Sequence, residues 1–464
     1  MAFKIFLFGL LATGLVHGDT RPNIVLFILD DVGTGDVAAL SMSCRIRTPY
    51  LDGFVSEGMR LTDFHSSSAQ STPTHYALLT GRYGWRAAPP GVFSPVGKGS
   101  DDQRPTVAAL LRDSGYRTVY MGNWTLGLGW SKGAEGKPDT TQPFVDGPLA
   151  RGFETFFGLA SESAQSIGPW LEGNRLASQL PQPHPEALLS KLTERTLTEL
   201  RKSREDPRPF FLVIALPSAA SGAKPSAAWR GRSAMHPYAD LVMEIDHSLG
   251  RILMALRETQ RAEDALVVIT SDNGASRDSG LAELAAFGHF SSAGFRGYQG
   301  ELYEGGHRVP ALFRWPKRIG RGTSSAALAT SSDIYATLLQ AANVSTPAGK
   351  LGGEDSVSLL PVLLGQKSRV REQVVHHAGD RLFAFRQGAE KLILAPAANA
   401  SGNALPYQWF NLEEDPSEQT DIARVKMDDA ETLRLTLLQQ VQAGRTTPGV
   451  ESKNDHKVMI GGGR

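Results

Sequence analysis

The segment Ser71-Thr-Pro-Thr-His-Tyr-Ala-Leu-Leu-Thr-Gly-Arg82 joins a polar cluster to a short apolar run that ends at a glycine. Because Ser, Thr and Pro favour the first positions of helices, the cluster predicts a loop and an N-cap, with the first helical turns at residues 76–79. Ser71 is then expected at a helix N-terminus, where free backbone N–H groups and the positive end of the helix dipole meet. Such a position suits a nucleophile or a bound anion, although the pattern alone is weak evidence for either.

An apolar strand that ends in two acidic residues precedes this segment. Residues 21–31 read Arg-Pro-Asn-Ile-Val-Leu-Phe-Ile-Leu-Asp-Asp, so the run closes on Asp30 and Asp31. A run without alternation predicts a central parallel strand covered on both faces, and ligand sites of open α/β sheets lie at the carboxyl ends of such strands. Two buried neighbouring carboxylates repel each other, so they need a cation or basic partners nearby. An N-cap or turn role for both residues is the alternative.

A second apolar strand ends in the same kind of residues. Residues 265–274 read Ala-Leu-Val-Val-Ile-Thr-Ser-Asp-Asn-Gly and place Asp272 and Asn273 at a strand end. Together with Asp30 and Asp31 they offer three carboxylates and an amide, a set that suits a hard cation and favours Ca²⁺ over Mg²⁺. A zinc site would require histidine or cysteine. A metal-free, hydrogen-bonded cluster is the alternative.

Helical and strand patterns alternate along the rest of the chain. Residues 107–121 predict a helix, a glycine stop and a strand; residues 209–217 predict a buried strand; residues 238–260 predict an amphipathic helix with a role in the core only. This order is typical of α/β proteins built on a mostly parallel sheet. Near residue 370 the pattern changes to short strand-like runs at residues 374–377, 382–386 and 391–394.

These motifs resemble those of the sulfatase family, in the same order from Asn23 to about Ala423. The family signature is Cys-x-Pro-Ser-Arg followed by Leu-x-Thr-Gly-Arg, and its cysteine is oxidised to formylglycine. Here the second half is intact, but Ser71 stands at the cysteine position and His75 at the arginine position. The two strands with acidic ends resemble the calcium-binding strands of the family.

Further motifs show the same kind of substitution. Gly122-Asn-Trp-Thr-Leu-Gly127 resembles the family motif Gly-Lys-Trp-His-Leu-Gly, so Asn123 and Thr125 replace the lysine and histidine that contact sulfate. Gln299 takes the position of another lysine, ahead of a segment at residues 303–306 for which we expect a tight turn. The loop that begins at Ser218 lacks the histidine of the family, because residues 218–221 read Ser-Ala-Ala-Ser.

The resemblance implies an α/β fold with a large mixed, mostly parallel sheet sandwiched by helices, plus a small C-terminal α+β domain with an antiparallel sheet. It also implies a formylglycine nucleophile and basic side chains that neutralise the sulfate. Removing one preorganised donor of this kind costs on the order of 3 kcal/mol. We therefore expect a protein that keeps its calcium site and is inactive, or severely impaired, as a sulfatase.

Three alternatives remain open. The first is an active serine-type sulfatase for aryl or glycan sulfates, with Ser71 converted to formylglycine. The second is a non-catalytic module that binds a glycan or a protein. The third is a phosphatase-like hydrolase that uses Ser71 directly, which we disfavour because a two-metal site needs more His and Asp ligands than the sequence offers.

The chain's first residues predict its destination. Residues 1–18 place Lys4 before an apolar run that ends at a glycine, which is typical of a secretory signal peptide. We therefore expect a secreted, periplasmic or lysosomal protein without a membrane anchor, a sulfatase-like domain at residues 19–370, and a small C-terminal domain at residues 371–464 whose tail after Pro448 is mobile. Cys44 is the only cysteine, so no intramolecular disulfide can form, and we expect it to be a buried, inert thiol. Asn343 and Asn399 are candidate glycosylation sites.

Charge indicates which partners to expect. The chain has 48 basic and 48 acidic residues and no net charge, which gives no indication of a nucleic acid partner. The partners expected from the resemblance are a sulfated glycan or an aryl sulfate. The sequence leaves the oligomeric state open.

Overall fold

The computed structural model describes residues 21–94, 100–133, 136–160, 167–218, 221–347, 350–379, 381–395 and 406–460. The signal peptide predicted at residues 1–18 and the candidate glycosylation site Asn399 lie outside the described residues. Asn343 lies on the surface. Across the described ranges, we find no helix that combines the length and the apolar character needed to cross a bilayer.

A ten-stranded mixed sheet forms the centre of the protein. Its strands are β1 (Asn23–Leu29), β2 (Met59–Leu61), β4 (Arg117–Trp124), β5 (Thr155–Ala160), β6 (Leu171–Glu172), β7 (Arg175–Leu176), β8 (Phe210–Leu216), β9 (Ala265–Ser271), β10 (Ala311–Arg314) and β11 (Thr323–Ser325). They lie in the order β11-β2-β10-β9-β1-β8-β4-β5-β6-β7. The long central strands β9, β1, β8, β4 and β5 are parallel, whereas β10, β6 and β7 pair antiparallel with their neighbours. The predicted mixed, mostly parallel sheet is confirmed.

Helices cover both faces of this sheet. They are α1 (Pro49–Glu57), α2 (Ser71–Thr80), α3 (Val107–Asp113), α4 (Leu188–Lys202), α5 (Pro237–Glu258), α6 (Leu281–Ala286), α7 (Glu304–His307), α8 (Asp333–Ala341), α9 (Leu360–Leu363) and α10 (Met427–Gln442). Successive side chains of β1 point to opposite faces. Thus Leu26 belongs to the hydrophobic core that includes residues of α2, α3 and α8, and Phe27 to the core that includes residues of α1, α4 and α5.

A separate four-stranded antiparallel sheet follows near the C-terminus. It consists of β13 (Gln373–Ala378), β14 (Leu382–Gln387), β15 (Glu390–Ile393) and β16 (Gln408–Asn411). Helix α10 packs on it through Leu433 and Leu437. The small α+β domain is thereby confirmed as an architecture, whereas its boundary at residue 370 stays a prediction. Strands β3 (Phe64–His65) and β12 (Ala329–Thr330) form a further short parallel pair.

The tail after Pro448 packs back onto the large domain, so the prediction of a mobile tail is wrong for the described residues up to 460. Asp455 forms an ion pair with the buried Arg82 at 3.0 Å, and the Asn454 side chain accepts a hydrogen bond from Arg86 at 2.8 Å. Both arginines lie just after α2 and are fully buried. A buried guanidinium needs acceptors, and the tail supplies them.

Three local predictions also differ from the structure. Helix α2 begins at Ser71, about one turn before the predicted first turns, because Ser, Thr and Pro occupy its first turn rather than a loop. The sequence pattern from Arg60 to Phe64 predicts one strand, whereas the structure has two, β2 and β3. The tight turn expected near Glu304 is the one-turn helix α7.

Candidate functional site

Strands β1 and β9 bring the predicted acidic residues together. The two strands are parallel and Leu29 pairs with Ser271, so both chains end at the same edge of the sheet. The backbone N–H of Asp31 donates to Asp272 Oδ1 at 3.1 Å. One carboxylate oxygen each of Asp30, Asp31 and Asp272 lies within 4.8 Å of the others. Asp31 adopts φ +56°, a strained backbone conformation for a residue other than glycine that is common at functional sites.

The electrostatics of these three carboxylates fit a cation. Burial, and then the charge of Asp272, raises the pKa of Asp30 to about 7. Burial and the charges of Asp30 and Asp272 raise the pKa of Asp31 well above its ordinary value. Asp272 Oδ2 is buried and accepts no hydrogen bond. Three repelling carboxylates with an unpaired oxygen suit a hard divalent ion, which Asp30, Asp31 and Asp272 would hold through oxygen ligands.

The amide of Asn273 connects this cluster to Ser71. The Ser71 hydroxyl donates to Asn273 Oδ1 at 3.0 Å, and Asn273 Nδ2 donates to Asp31 Oδ1. Gln299 Nε2 donates to the same Asp31 oxygen at 2.7 Å. The predicted ligand Asn273 therefore lies with the carboxylates, and two amide N–H groups share one oxygen of Asp31.

The substituted family positions face one cavity of about 540 Å³. Ser71 lies at the first position of α2, and His75 follows one turn later on the same face. Strand β4 and the residue after it bring Asn123 and Thr125 to the cavity, and Gln299 approaches from the segment before α7. Asp30, Asp31 and Asp272 line its floor, and the sequence thus predicted a common site for all of these positions.

Carboxylates, amides, hydroxyls and imidazoles make up the polar lining of the cavity. His75 Nε2 lies 3.5 Å from Asp272 Oδ2, close enough for attraction when the imidazole is protonated. Thr125 Oγ1 is buried without a hydrogen bond, and Asn123 is buried. Among the described residues that line the cavity, there is no lysine and no arginine.

The structure adds residues that the sequence did not indicate. His377 from β13 lines the cavity, and neither of its ring nitrogens has a hydrogen-bond partner. Burial lowers its pKa to about 3, so the ring is neutral. The only signal in the sequence was the dipeptide His376-His377 inside an apolar strand, whose alternation sends the two rings to opposite faces. Ser221 also lines the cavity, and Ser218 Oγ lies 3.4 Å from Asp31 Oδ2, whereas residues 219–220 of this loop lie outside the described part.

Helix α5 has more than the core role predicted for it. The hydroxyl of Tyr238, in its first turn, lies 2.6 Å from Asp36 Oδ2 and 3.0 Å from the carbonyl oxygen of Asp31. This contact supports the strained backbone at Asp31. Hydrophobic spacing did not reveal it, because Tyr238 also packs as an apolar core residue.

Comparison with known families identifies the architecture around this cavity. The sulfatase family model matches residues 22–344, and a model of the C-terminal region of N-sulphoglucosamine sulphohydrolase matches residues 299–446. The chain belongs to the sulfatase family. Ser71 and His75, the residues expected at the cysteine and arginine positions of the family signature, both line the cavity.

Curated relatives of this sulfatase-family chain span most of its length. It is 26% identical to N-acetylgalactosamine-6-O-sulfatase of Bacteroides thetaiotaomicron, over 87% of this chain and 90% of the relative. It is 28% identical to human N-acetylgalactosamine-6-sulfatase, over 93% and 88% of the two chains. A sulfatase structure from work on glycosaminoglycan metabolism by B. thetaiotaomicron has a TM-score of 0.78 at 23% identity, covering 90% of this chain and 99% of that one, which supports the fold.

Proposed function

We propose that this sulfatase-family protein binds Ca²⁺ at Asp30, Asp31, Asp272 and Asn273, does not hydrolyse sulfate esters, and uses its cavity to bind a glycan. The observation that carries the proposal is the lining of the cavity, which among the described residues holds three carboxylates and neither lysine nor arginine. Magnesium is the second choice of ion, because an amide and several carboxylates in a flexible arrangement favour the larger cation.

The chemistry of sulfate ester cleavage explains why this lining matters. Negative charge shifts onto the departing alcohol in the transition state, and preorganised donors lower the barrier only where they face that charge. Here Gln299 donates to Asp31 and Ser71 donates to Asn273, so both polar groups serve the carboxylate cluster. When bound, Ca²⁺ would neutralise the carboxylates and present a positive charge to a hydroxyl-rich or anionic ligand.

Ser71 itself is a poor substitute for formylglycine. An unmodified serine has one hydroxyl, so a sulfated Ser71 would lack the second hydroxyl through which a sulfated hemiacetal breaks down. His75 is a candidate general base on α2, but its Nε2 faces Asp272, and the Ser71 hydroxyl donates to Asn273 instead. Side-chain geometry therefore favours retention of a ligand over turnover.

The glycan is proposed from the cavity and the relatives together. A cavity of about 540 Å³ has the size of small-ligand sites, and its hydroxyl, amide and imidazole groups suit sugar hydroxyls. The relatives are named for activity on N-acetylgalactosamine 6-sulfate. Because the lining is acidic, we expect binding of such a sugar to depend on Ca²⁺.

The decisive experiment combines mass spectrometry with a turnover assay. The protein, produced with its N-terminal segment, is digested, and the mass of the peptide containing Ser71 is measured. Turnover of an aryl sulfate and of N-acetylgalactosamine 6-sulfate is followed with Ca²⁺ and with a chelator. We expect unmodified serine, no turnover, Ca²⁺-dependent sugar binding, and a mature chain that has lost residues 1–18.

The competing candidate is an active serine-type sulfatase. It is favoured by the position of Ser71, which opens α2 at the cavity. Formylglycine at residue 71 together with Ca²⁺-dependent turnover would establish that activity and end our proposal. A positive control is the variant with Ser71→Cys, His75→Arg, Asn123→Lys, Thr125→His and Gln299→Lys, produced with a formylglycine-generating enzyme, for which we expect measurable turnover.

A further inference from the structure

A second cluster of metal-ligating side chains lies between the large domain and the C-terminal sheet. His65 ends β3, Glu304 and His307 belong to α7, and His376 belongs to β13. All four side chains are fully buried. One potential ligand atom of each lies within 4.8 Å of the others. None of them lines the cavity described above.

The outer nitrogens of two of these histidines face oxygen atoms. His65 Nε2 lies 3.0 Å from Asp63 Oδ1, and His307 Nε2 lies 3.0 Å from the carbonyl oxygen of Leu302. Each contact favours a proton on Nε2 and therefore a lone pair on Nδ1. The two Nδ1 atoms face each other at 3.0 Å. Metal-binding histidines have this pattern, with the outer N–H held by a carboxylate or a backbone carbonyl.

Two further groups lie within reach of this pair. Glu304 Oε2 is 4.0 Å from His65 Nδ1. The ring of His376 is stacked on that of His307 with centroids 3.8 Å apart, and both of its nitrogens lack a hydrogen bond. A buried imidazole with two unpaired nitrogens is costly. Since no hydrogen bond fixes this ring, it can tilt and turn one nitrogen toward the point between the two Nδ1 atoms.

The charges around the cluster are balanced before any ion binds. Asp63, Glu304 and Glu418 are paired with the cations of Arg308, Arg386 and Lys391. Two of these cations also lie near the histidines, Arg386 Nη1 at 3.3 Å from His65 Nε2 and Lys391 Nζ at 3.1 Å from His307 Nε2. In both cases the oxygen acceptor lies nearer to Nε2, at 3.0 Å, which favours a proton on that nitrogen.

We propose that His65, His307 and Glu304, with His376 after a tilt of its ring, bind Zn²⁺. Neutral imidazoles with a carboxylate are a zinc donor set. Tetrahedral ligands at zinc–nitrogen distances of about 2.0 to 2.1 Å are about 3.3 Å apart, so the observed 3.0 Å between the Nδ1 atoms requires only a small separation. The ion would join β3, α7 and β13, and thus fasten the C-terminal sheet to the large domain.

The test measures zinc in the full-length protein. The protein is equilibrated with Zn²⁺ in excess Ca²⁺, which occupies the oxygen-rich site, then dialysed and analysed for metal content. We expect one zinc per chain in the wild type. His376→Ala is the main variant because His376 makes no hydrogen bond, so its loss removes a ligand without breaking a polar contact. We expect it to weaken zinc binding by at least about tenfold, the minimum seen when even an outer partner is lost.

The matched control is His377→Ala, which removes the neighbouring buried histidine that also lacks hydrogen bonds. It should retain one zinc per chain. Equal zinc content in wild type and His376→Ala, or none in the wild type, would overturn the proposal and leave a shared proton between His65 and His307 as the explanation. Should His376→Ala fail to fold, the visible spectrum of Co²⁺ in the wild type decides: intense tetrahedral bands support the site, and weak octahedral bands refute it.

Discussion

Replacing Asp30 by asparagine should stabilise the protein when divalent ions are absent, and added Ca²⁺ should reduce this gain. Burial and the charge of Asp272 raise the pKa of Asp30 from 3.8 to about 7 in the folded protein. Folding therefore favours the protonated carboxyl group. The resulting loss of stability is absent below the unfolded pKa and grows as the pH rises from about 4 to about 7. Asparagine resembles the protonated acid in shape and has no charge to lose.

The magnitude follows from the two pKa values. When complete, the difference between 3.8 and about 7 corresponds to about 4 kcal/mol, of which about 2 to 3 kcal/mol develops between about pH 5 and pH 8. Without divalent ions, Asp30→Asn should thus gain about 2 to 3 kcal/mol relative to the wild type over this range. The buried histidines also change the free energy of unfolding over part of this pH range. Their contribution is the same in both proteins, so it cancels when the two are compared at the same pH.

Calcium should reduce this difference. A hundredfold excess over the dissociation constant stabilises the wild type by about 2.7 kcal/mol, whereas the variant lacks one ligand and gains less. Urea denaturation at pH 5 to 8, with a chelator and with Ca²⁺, measures both effects. The matched control is Asp246→Asn, because burial raises the pKa of Asp246 to about 7 as well, but this carboxylate accepts backbone N–H groups of α1.

The control should show the same pH dependence relative to the wild type, and Ca²⁺ should stabilise it as much as the wild type, because it keeps all four proposed ligands. Our account of the carboxylate cluster is refuted if Asp30→Asn is less stable than the wild type at pH 8 in chelator. It is equally refuted if Ca²⁺ stabilises the wild type and Asp30→Asn to the same extent.

Two further substitutions test the framework around the site. Lys391→Met should lower the free energy of unfolding by about 3 to 5 kcal/mol, because it leaves the buried carboxylates of Glu304 and Glu418 without their shared cation. A smaller effect in urea denaturation would contradict this pairing. Gly122→Ala should lower the free energy of unfolding by about 2 to 3 kcal/mol, since Gly122 has φ +123° and an added Cβ would lie 1.8 Å from the carbonyl oxygen of Ala215 in β8. Unchanged thermal stability would show that β4 and β8 can move apart to make room for the methyl group.

Uninterrupted apolar runs predicted the central sheet, because a strand buried on both faces needs apolar residues at successive positions. The uninterrupted apolar runs of β1, β8 and β9 could be identified without any partner, and each carries its polar residues at the carboxyl end. The cluster of Asp30, Asp31 and Asp272 follows from parallel strands that end at one edge. Its hydrogen bonds do not, because the positions of the Gln299 and Asn273 amides depend on loops with no periodicity.

The residues that sequence reasoning missed come from elements far apart in the chain. His65, His307 and His376 meet only because β13 packs over α7 and β3, and none of the three has an informative neighbour in the sequence. The packed tail is a similar case. Its polar residues resemble those of a mobile segment, but Asp455 and Asn454 accept hydrogen bonds from the buried Arg82 and Arg86.

The substitutions at the cavity are physically consistent with one another. A lysine at position 299 would place a full positive charge beside Asp31, whereas Gln299 keeps an N–H donor at 2.7 Å and removes the charge. Asn273 supplies a second such donor to the same oxygen. Two amide dipoles compensate a buried carboxylate far less than a cation does, so the pKa of Asp31 stays well above its ordinary value. Under the proposed function, the neutral side chains at these positions therefore make the three carboxylates more dependent on a bound metal ion, which would contribute to stability and ligand binding.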